Sequence, residues 1–201
     1  MCRICEDNYD GICRLSISNC PNLVDLKNIT NMDKLLSLFI INCPNLKDLS
    51  KLVEMSEIYE LTIIQCPKIV SIPIIHNLKY LVINDCNIVY IPYIENLNAL
   101  TIEHCNNLEN ISNVTNIFEL SIVNCPKLIN IPIIPELTTL VLANSKILSI
   151  PYMPKLSNII LSDCSDIIEI PHISRLTDLT ISNCPNLLDI PHIPGLVVSF
   201  R

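Results

Sequence analysis

Glycine is nearly missing from this chain: Gly11 and Gly195 are the only two in 201 residues. A phosphate-cradling loop of the P-loop or dinucleotide type needs several glycines close together so that backbone amides can approach the phosphate. Nucleotide enzymes built on such loops are therefore excluded. Tryptophan is absent and aromatic residues make up only 4% of the sequence, an unusual mixture for an enzyme. Basic charge is also sparse, with thirteen Lys and Arg against twenty Asp and Glu for a formal charge of −7. The cations are scattered singly, so the electrostatic footprint of a nucleic-acid binder does not form. Long apolar runs are missing too: a stretch such as residues 35–41 falls far short of the roughly 20 residues that span a bilayer. The opening Met1-Cys2-Arg3-Ile4-Cys5-Glu6-Asp7 is too polar for a secretory signal. The expectation is a soluble chain of the cytoplasm, with the cytoplasm of a host cell as one setting.

Half of the residues are hydrophobic, enough for a core, and there are fourteen prolines and eleven cysteines. In a secreted domain so many cysteines would suggest a disulfide framework, but without a signal they argue for reduced thiols. Their spacing explains them better. Cys20, Cys43, Cys66, Cys86, Cys105, Cys125, Cys164 and Cys184 are separated by 23, 23, 20, 19, 20, 39 and 20 residues, and Ser145 divides the long gap. This is a nine-fold internal repeat. All fourteen prolines fall at three repeat positions. Pro21, Pro44, Pro67, Pro126 and Pro185 follow the cysteine. Pro73, Pro92, Pro132, Pro151, Pro171 and Pro191 follow a later isoleucine, and Pro135, Pro154 and Pro194 come three residues after that.

The third unit reads Ile58-x-x-Leu61-x-Ile63-x-x-Cys66-x-x-Ile69-x-x-Ile72-Pro73, and the ninth reads Leu176-x-x-Leu179-x-Ile181-x-x-Cys184-x-x-Leu187-x-x-Ile190-Pro191. This pattern resembles the leucine-rich repeat, whose period is about 20 to 29 residues. The likeness runs over residues 12–196. The Ile-Pro steps are similar to the short repeats of bacterial effector proteins, and the Asn-Cys-Pro units to repeat proteins of large DNA viruses. The resemblance implies a mostly β solenoid of the α/β-type repeat class, with a parallel sheet on its concave side.

The residues independently point the same way. Around each Leu-x-Ile step the side chains alternate with period two and β-branched residues dominate, which predicts a short strand. Prolines in the return segment remove amide donors and restrict their predecessors, so the convex side should run extended or polyproline-like. The first two units are longer and lack the Ile-Pro step. There the sequence predicts short helical turns within residues 30–36 and 50–58, with Thr30 and Ser50 as candidate caps. The expected organisation is an N-terminal segment at 1–11, then a solenoid over 12–201 of about nine repeats. Leu196, Val198 and Phe200 alternate like a final edge strand.

The cysteine position sits where the chain leaves the strand, and a structural role as a small, weakly donating hydrophobe is expected there. The residue before it (Asn19, Asn42, Gln65, Asp85, His104, Asn124, Asn144, Asp163 and Asn183) should satisfy turn backbone groups or its own neighbours. At the N-terminus Cys2-Arg-Ile-Cys5-Glu is similar to the opening of the RING-CH zinc domains of ubiquitin ligases. The likeness ends there, because the eight ligands of a cross-braced domain are not available. A single zinc site from Cys2, Cys5, Cys13 and Cys20 is chemically possible. His172 and His192 follow Ile-Pro steps one coil apart, a position otherwise held by Ile74, Tyr93, Ile133 and Tyr152. A shared metal or a weak pH response is conceivable there, and a variable surface position is the simpler reading. No catalytic constellation emerges and no cofactor is implied.

The outward strand positions form the concave face. Phe39, Ile41, Ile64 and Val82 should gather in one apolar patch, with Thr62 as a further partner-binding position beside them, and Val123, Val141 and Ile160 in a second. A non-enzymatic protein-interaction scaffold is the function this suggests, with a protein or a second copy of the chain as partner, and self-association through the C-terminal edge as one form. The alternative is a recognition module of a ubiquitin-ligase or effector-type assembly with a small N-terminal zinc site.

Overall fold

The computed structural model describes residues 13–29 and 34–200. The N-terminal segment 1–11 and the candidate cap Thr30 lie outside them. Within them, ten parallel strands form one sheet in sequence order. They are β1 (Arg14–Ser18), β2 (Ser37–Ile41), β3 (Glu60–Ile64), β4 (Tyr80–Asn84), β5 (Ala99–Glu103), β6 (Glu119–Val123), β7 (Thr139–Ala143), β8 (Asn158–Ser162), β9 (Asp178–Ser182) and β10 (Val197–Phe200). Each connection passes once around the coil and returns beside the strand it left. The result is a solenoid of about nine turns with almost no helix.

The register is uniform. Leu15, Leu38, Leu61, Leu81, Leu100, Leu120, Leu140, Ile159 and Leu179 are successive partners, and the isoleucine row two residues on stacks in the same way. Both rows are buried. Burying one such side chain stabilises by about 1.5 to 3 kcal/mol, against about 1 to 2 kcal/mol to order each backbone residue. Stability therefore depends on coils covering one another.

The residue before each cysteine turns the chain. All nine of these residues have positive φ, from 46° at Asn144 to 55° at Gln65. A glycine usually takes this left-handed conformation; in a chain almost without glycine, Asn and Asp take it at seven of the nine positions, since they tolerate it best among the others. The turn also extends the sheet. The Asn19 N–H donates to the Ile41 carbonyl at 2.9 Å, and the same bond recurs down the stack to Asp163 and Ser182 at 2.9 Å.

Proline placement follows from turn geometry. After each Cys-Pro the amide three residues past the cysteine donates back to the cysteine carbonyl, as from Leu128 to Cys125 at 3.2 Å. Proline is thus at the second position of a tight turn, where its fixed φ is an advantage. Pro135, Pro154 and Pro194 hold the equivalent position in a second turn, for example that closed by Leu137 N–H to the Ile134 carbonyl at 3.1 Å. Asparagine side chains supply bonds between coils that proline cannot. Asn45 donates to the Pro21 carbonyl at 2.6 Å, Asn87 to Pro67 at 2.7 Å and Asn96 to the His76 carbonyl at 2.8 Å.

Two coils are one residue shorter after the strand, at Cys86 and at Ser145, which lie 59 residues apart. At the second, the Ser145 hydroxyl accepts the Ile147 N–H at 3.1 Å and closes the shortened turn. The hydroxyl oxygen is the acceptor in this bond, at a position that Cys86 holds in the other shortened coil.

The convex side is extended, with isolated parallel bridges such as Tyr90 to Asn110 and Glu169 to Asp189. The second unit holds a 3-10 turn, Ser50–Glu54. The expected Ser50 cap is corrected: Ser50 is the first residue of the turn, and its N–H donates to Asp48 Oδ1 at 2.9 Å. Asp48 does the capping because its short carboxylate reaches an amide two residues ahead. At the other end, Cys184, Leu187, Ile190, Leu196 and Val198 are only half-buried. A cleft of about 240 Å³ opens there, lined by residues that include Ile181, Leu187, Ile190 and Phe200.

Candidate functional site

A five-residue strand presents its first, third and fifth residues on one face. The concave face therefore carries three rows. The middle row runs Ser16, Phe39, Thr62, Val82, Thr101, Ser121, Val141, Ile160, Thr180, and the fifth-position row runs Ser18, Ile41, Ile64, Asn84, Glu103, Val123, Ala143, Ser162, Ser182. The expected patch residues Phe39, Ile41, Ile64 and Val82 lie together across β2, β3 and β4 and are half-buried. Thr62 sits between Phe39 and Val82 in the register and is only 8% exposed. Val123 and Val141 are half-buried on β6 and β7, and Ile160 on β8 is 41% exposed. The two patches are separated on the fifth-position row by Asn84, whose amide donates to Glu103 Oε2 at 2.7 Å. At the N-terminal end the Arg14 guanidinium lies 4.4 Å from the centre of the Phe39 ring.

The first-position row was not picked out from the sequence. It runs Arg14, Ser37, Glu60, Tyr80, Ala99, Glu119, Thr139, Asn158, Asp178, Val197. The signal was available: stepping the period of two back by one more position from the middle row would have found it. This row changes the character of the face, whose other two rows carry a single charged residue, Glu103. Together with Glu103 it brings four carboxylates, at Glu60, Glu103, Glu119 and Asp178. The ion pairs among the described residues all lie off the sheet, as at Lys155 with Glu136 and Lys127 with Glu109. Tyr80 is 45% exposed and meets Tyr59 edge to face with ring centres 6.4 Å apart.

A second apolar surface also escaped the sequence reading. Val70, Val89, Ile129, Leu148, Ile168 and Leu188 follow the cysteine turn in their coils and are exposed, Leu188 to 86%. Backbone bonds from Leu148 to Ile129 and from Leu188 to Ile168, both 3.1 Å, stack them into a broken ridge away from the concave face.

The thiols are structural. Cys43, Cys66, Cys86, Cys105, Cys125, Cys164 and Cys184 are free. Their sulfurs donate to the carbonyl two residues back, at 3.4 Å for Cys105 to Glu103. Burial pushes Cys86 and Cys105 up to about 12, and Cys66, Cys125 and Cys164 up to about 11. A thiol so strongly protonated is a poor nucleophile and a poor metal ligand at neutral pH. Cys20 departs from the expected reduced state, being disulfide-bonded. Cys2 and Cys5 of the candidate zinc set lie outside the described residues, and Cys13 is exposed just before β1. His172 and His192 are exposed on the convex side. Among the described residues no group of three or more His, Cys, Asp or Glu gathers as a metal would require.

The row before the cysteines bonds to itself. Asn42 donates to Asn19 Oδ1 at 2.7 Å, Asn144 to Asn124 Oδ1, and Asn183 to Asp163 Oδ1 at 2.7 Å. Bonds from Asn183 and the Ser162 hydroxyl hold the Asp163 carboxyl below its ordinary value. Buried side-chain N and O atoms of the described residues all have partners.

A stack of short parallel strands, a polar turn row and an extended back define the class of leucine-rich repeat solenoids. Residues 50–191 match the family described as plant disease resistance protein RPS2-like, leucine-rich repeats. The chain belongs to this leucine-rich repeat family. Among solved structures, the leucine-rich repeat domain of the type III effector XopL is similar, with a TM-score of 0.65 and 19% identity over 93% of this chain and 68% of that one. That likeness concerns the fold. No curated protein matches the chain in sequence. Among the described residues no helix is long and apolar enough to cross a membrane.

Proposed function

We propose that this chain is a non-enzymatic interaction scaffold that holds a protein partner against its concave sheet face. The observation that carries the reading is the pair of half-exposed apolar patches, around Ile41 and Ile64 and around Val141 and Ile160, on a rigid hydrogen-bonded sheet. Apolar side chains grouped on an ordered surface are the usual anchor of a protein contact. The free thiols of the ladder fit a reducing cytoplasm, that of a host cell included, whereas the disulfide at Cys20 is the kind of bond that persists in an oxidising compartment. A second copy of the chain, docked along β10 at the C-terminal end of the sheet, is the self-association form of this reading.

The test places a photoreactive side chain at position 41 or 64, and for comparison at Leu148 or Ile168 on the convex ridge. Cross-links to a partner should come from the concave positions. Ile41→Asp with Ile64→Asp should abolish partner recovery while circular dichroism is unchanged. Cross-links only from the ridge, or intact recovery with the double variant, would move the site elsewhere.

A further inference from the structure

Resting on that reading of the concave face, we propose that its occupant is an extended, basic segment of a partner protein that crosses the strands, with Lys or Arg at every fourth residue. Glu60, Glu119 and Asp178 occupy the same first position on β3, β6 and β9 and are linked through the register by Tyr80, Ala99, Thr139 and Asn158. Three strand spacings separate neighbouring carboxylates, about 14 Å at about 4.8 Å per strand. Glu119 and Asp178 are exposed and Glu60 is half-buried. None of the three joins an ion pair among the described residues. Asp178 accepts one hydroxyl bond, from Thr177 at 2.7 Å. Among the described residues the only cation on this face is Arg14, at the far end over Phe39. The chain as a whole is at −7, which adds long-range attraction for a cation.

Geometry selects the conformation of the occupant. An extended chain advances about 3.4 Å per residue, so four residues cover about 13.5 Å and return the side chain to the same side. A helix rising about 1.5 Å per residue needs about nine residues for 14 Å, which is about two and a half turns and sends the next charge to the opposite side. The residue two after the first cation falls between Tyr80 and Ala99. Tyr80, 45% exposed, favours an apolar side chain there. The recognised pattern is basic-x-apolar-x-basic-x-x-x-basic. No stretch of this chain carries three basic residues at that spacing, so a second copy does not fit the row.

The experiment measures fluorescence anisotropy of labelled peptides on the full 201-residue protein. One peptide has lysines spaced by four; another has the same composition with lysines spaced by three. The first should bind about ten-fold more tightly at low salt, and weaken as salt rises. Glu60→Gln, Glu119→Gln and Asp178→Asn should each weaken it roughly two- to five-fold, and the triple variant should lose the spacing preference. Equal affinity for both peptides, or a preference that survives in the triple variant, would overturn the proposal. That failure is separable from failure of the concave site itself: the Ile41 and Ile64 variants report on the site whatever the charge pattern of its occupant.

Discussion

At Gln65 and His104 the chain holds φ at 55° and 54° with side chains less suited to that conformation than the Asn found at Asn42, Asn124 or Asn183. Left-handed backbone costs roughly 1 to 2 kcal/mol for most side chains, and less for Asn, whose short amide bonds locally. Gln65→Asn should therefore raise stability by about 0.5 to 1 kcal/mol, seen as a rise of roughly 1 to 4 °C in Tm by calorimetry. A fall would mean that the longer amide makes a contact worth more than the strain. The thiols make a second residue-scale statement. Unfolded, they ionise near 9.0; folded, Cys66, Cys86, Cys105, Cys125 and Cys164 do so only at about 11 to 12, because burial disfavours the thiolate. The folded state holds these protons more tightly, so their contribution is complete below pH 9 and is lost as pH rises through 11 to 12. In between, each removes about 1.4 kcal/mol per pH unit. The urea midpoint should stay level from about pH 7 to 8.5 and fall steeply by pH 10, with a shallower fall in Cys86→Ala. A level midpoint to pH 10 would place the thiols in contact with solvent.

At the scale of the element, strands and turns differ in how plainly the sequence announces them. The Leu-x-Ile step at Leu61 and Ile63 predicts β3 and its inward pair through period two alone, and the cysteine spacing predicts where each strand recurs. Proline positions predict an extended back, and Pro126 and Pro135 mark the tight turns they occupy. Less legible was the reach of the strand. Glu60, Glu119 and Asp178 precede the apolar step, so their place on the concave face depends on a strand that begins one residue earlier than its hydrophobic signature. Ser50 was read as a cap because a hydroxyl at a helix start usually is one; Asp48, two residues earlier, reaches the amide first. The convex ridge of Ile129, Leu148 and Ile168 was hidden for another reason: apolar residues in a return segment read as core until the coil cross-section shows them facing outward. The role of Cys20 depends on a covalent bond that spacing does not reveal.

At the scale of the molecule, the strand contacts of the described residues run from each coil to the next, and no single coil has a core of its own. Excising residues 120–139 removes one turn and joins Glu119 to Leu140, keeping the register because Glu119 and Thr139 are partners. The shortened chain should still give a strand spectrum by circular dichroism and unfold in one transition at lower denaturant, and a peptide of residues 120–139 alone should remain unfolded. Collapse of the shortened chain, or structure in the lone peptide, would contradict nearest-neighbour stacking.

The two clipped turns at Cys86 and Ser145 have a further consequence. They stand at matching places in successive stretches of 59 residues, as do Cys66, Cys125 and Cys184, Tyr93 and Tyr152, and the acids at 60, 119 and 178. The heritable module is thus a triplet of rungs. An unequal crossover between two such triplets inserts or deletes 59 residues with each bend still in phase, so a gene can extend or trim the protein's reach while every junction remains one it already contains.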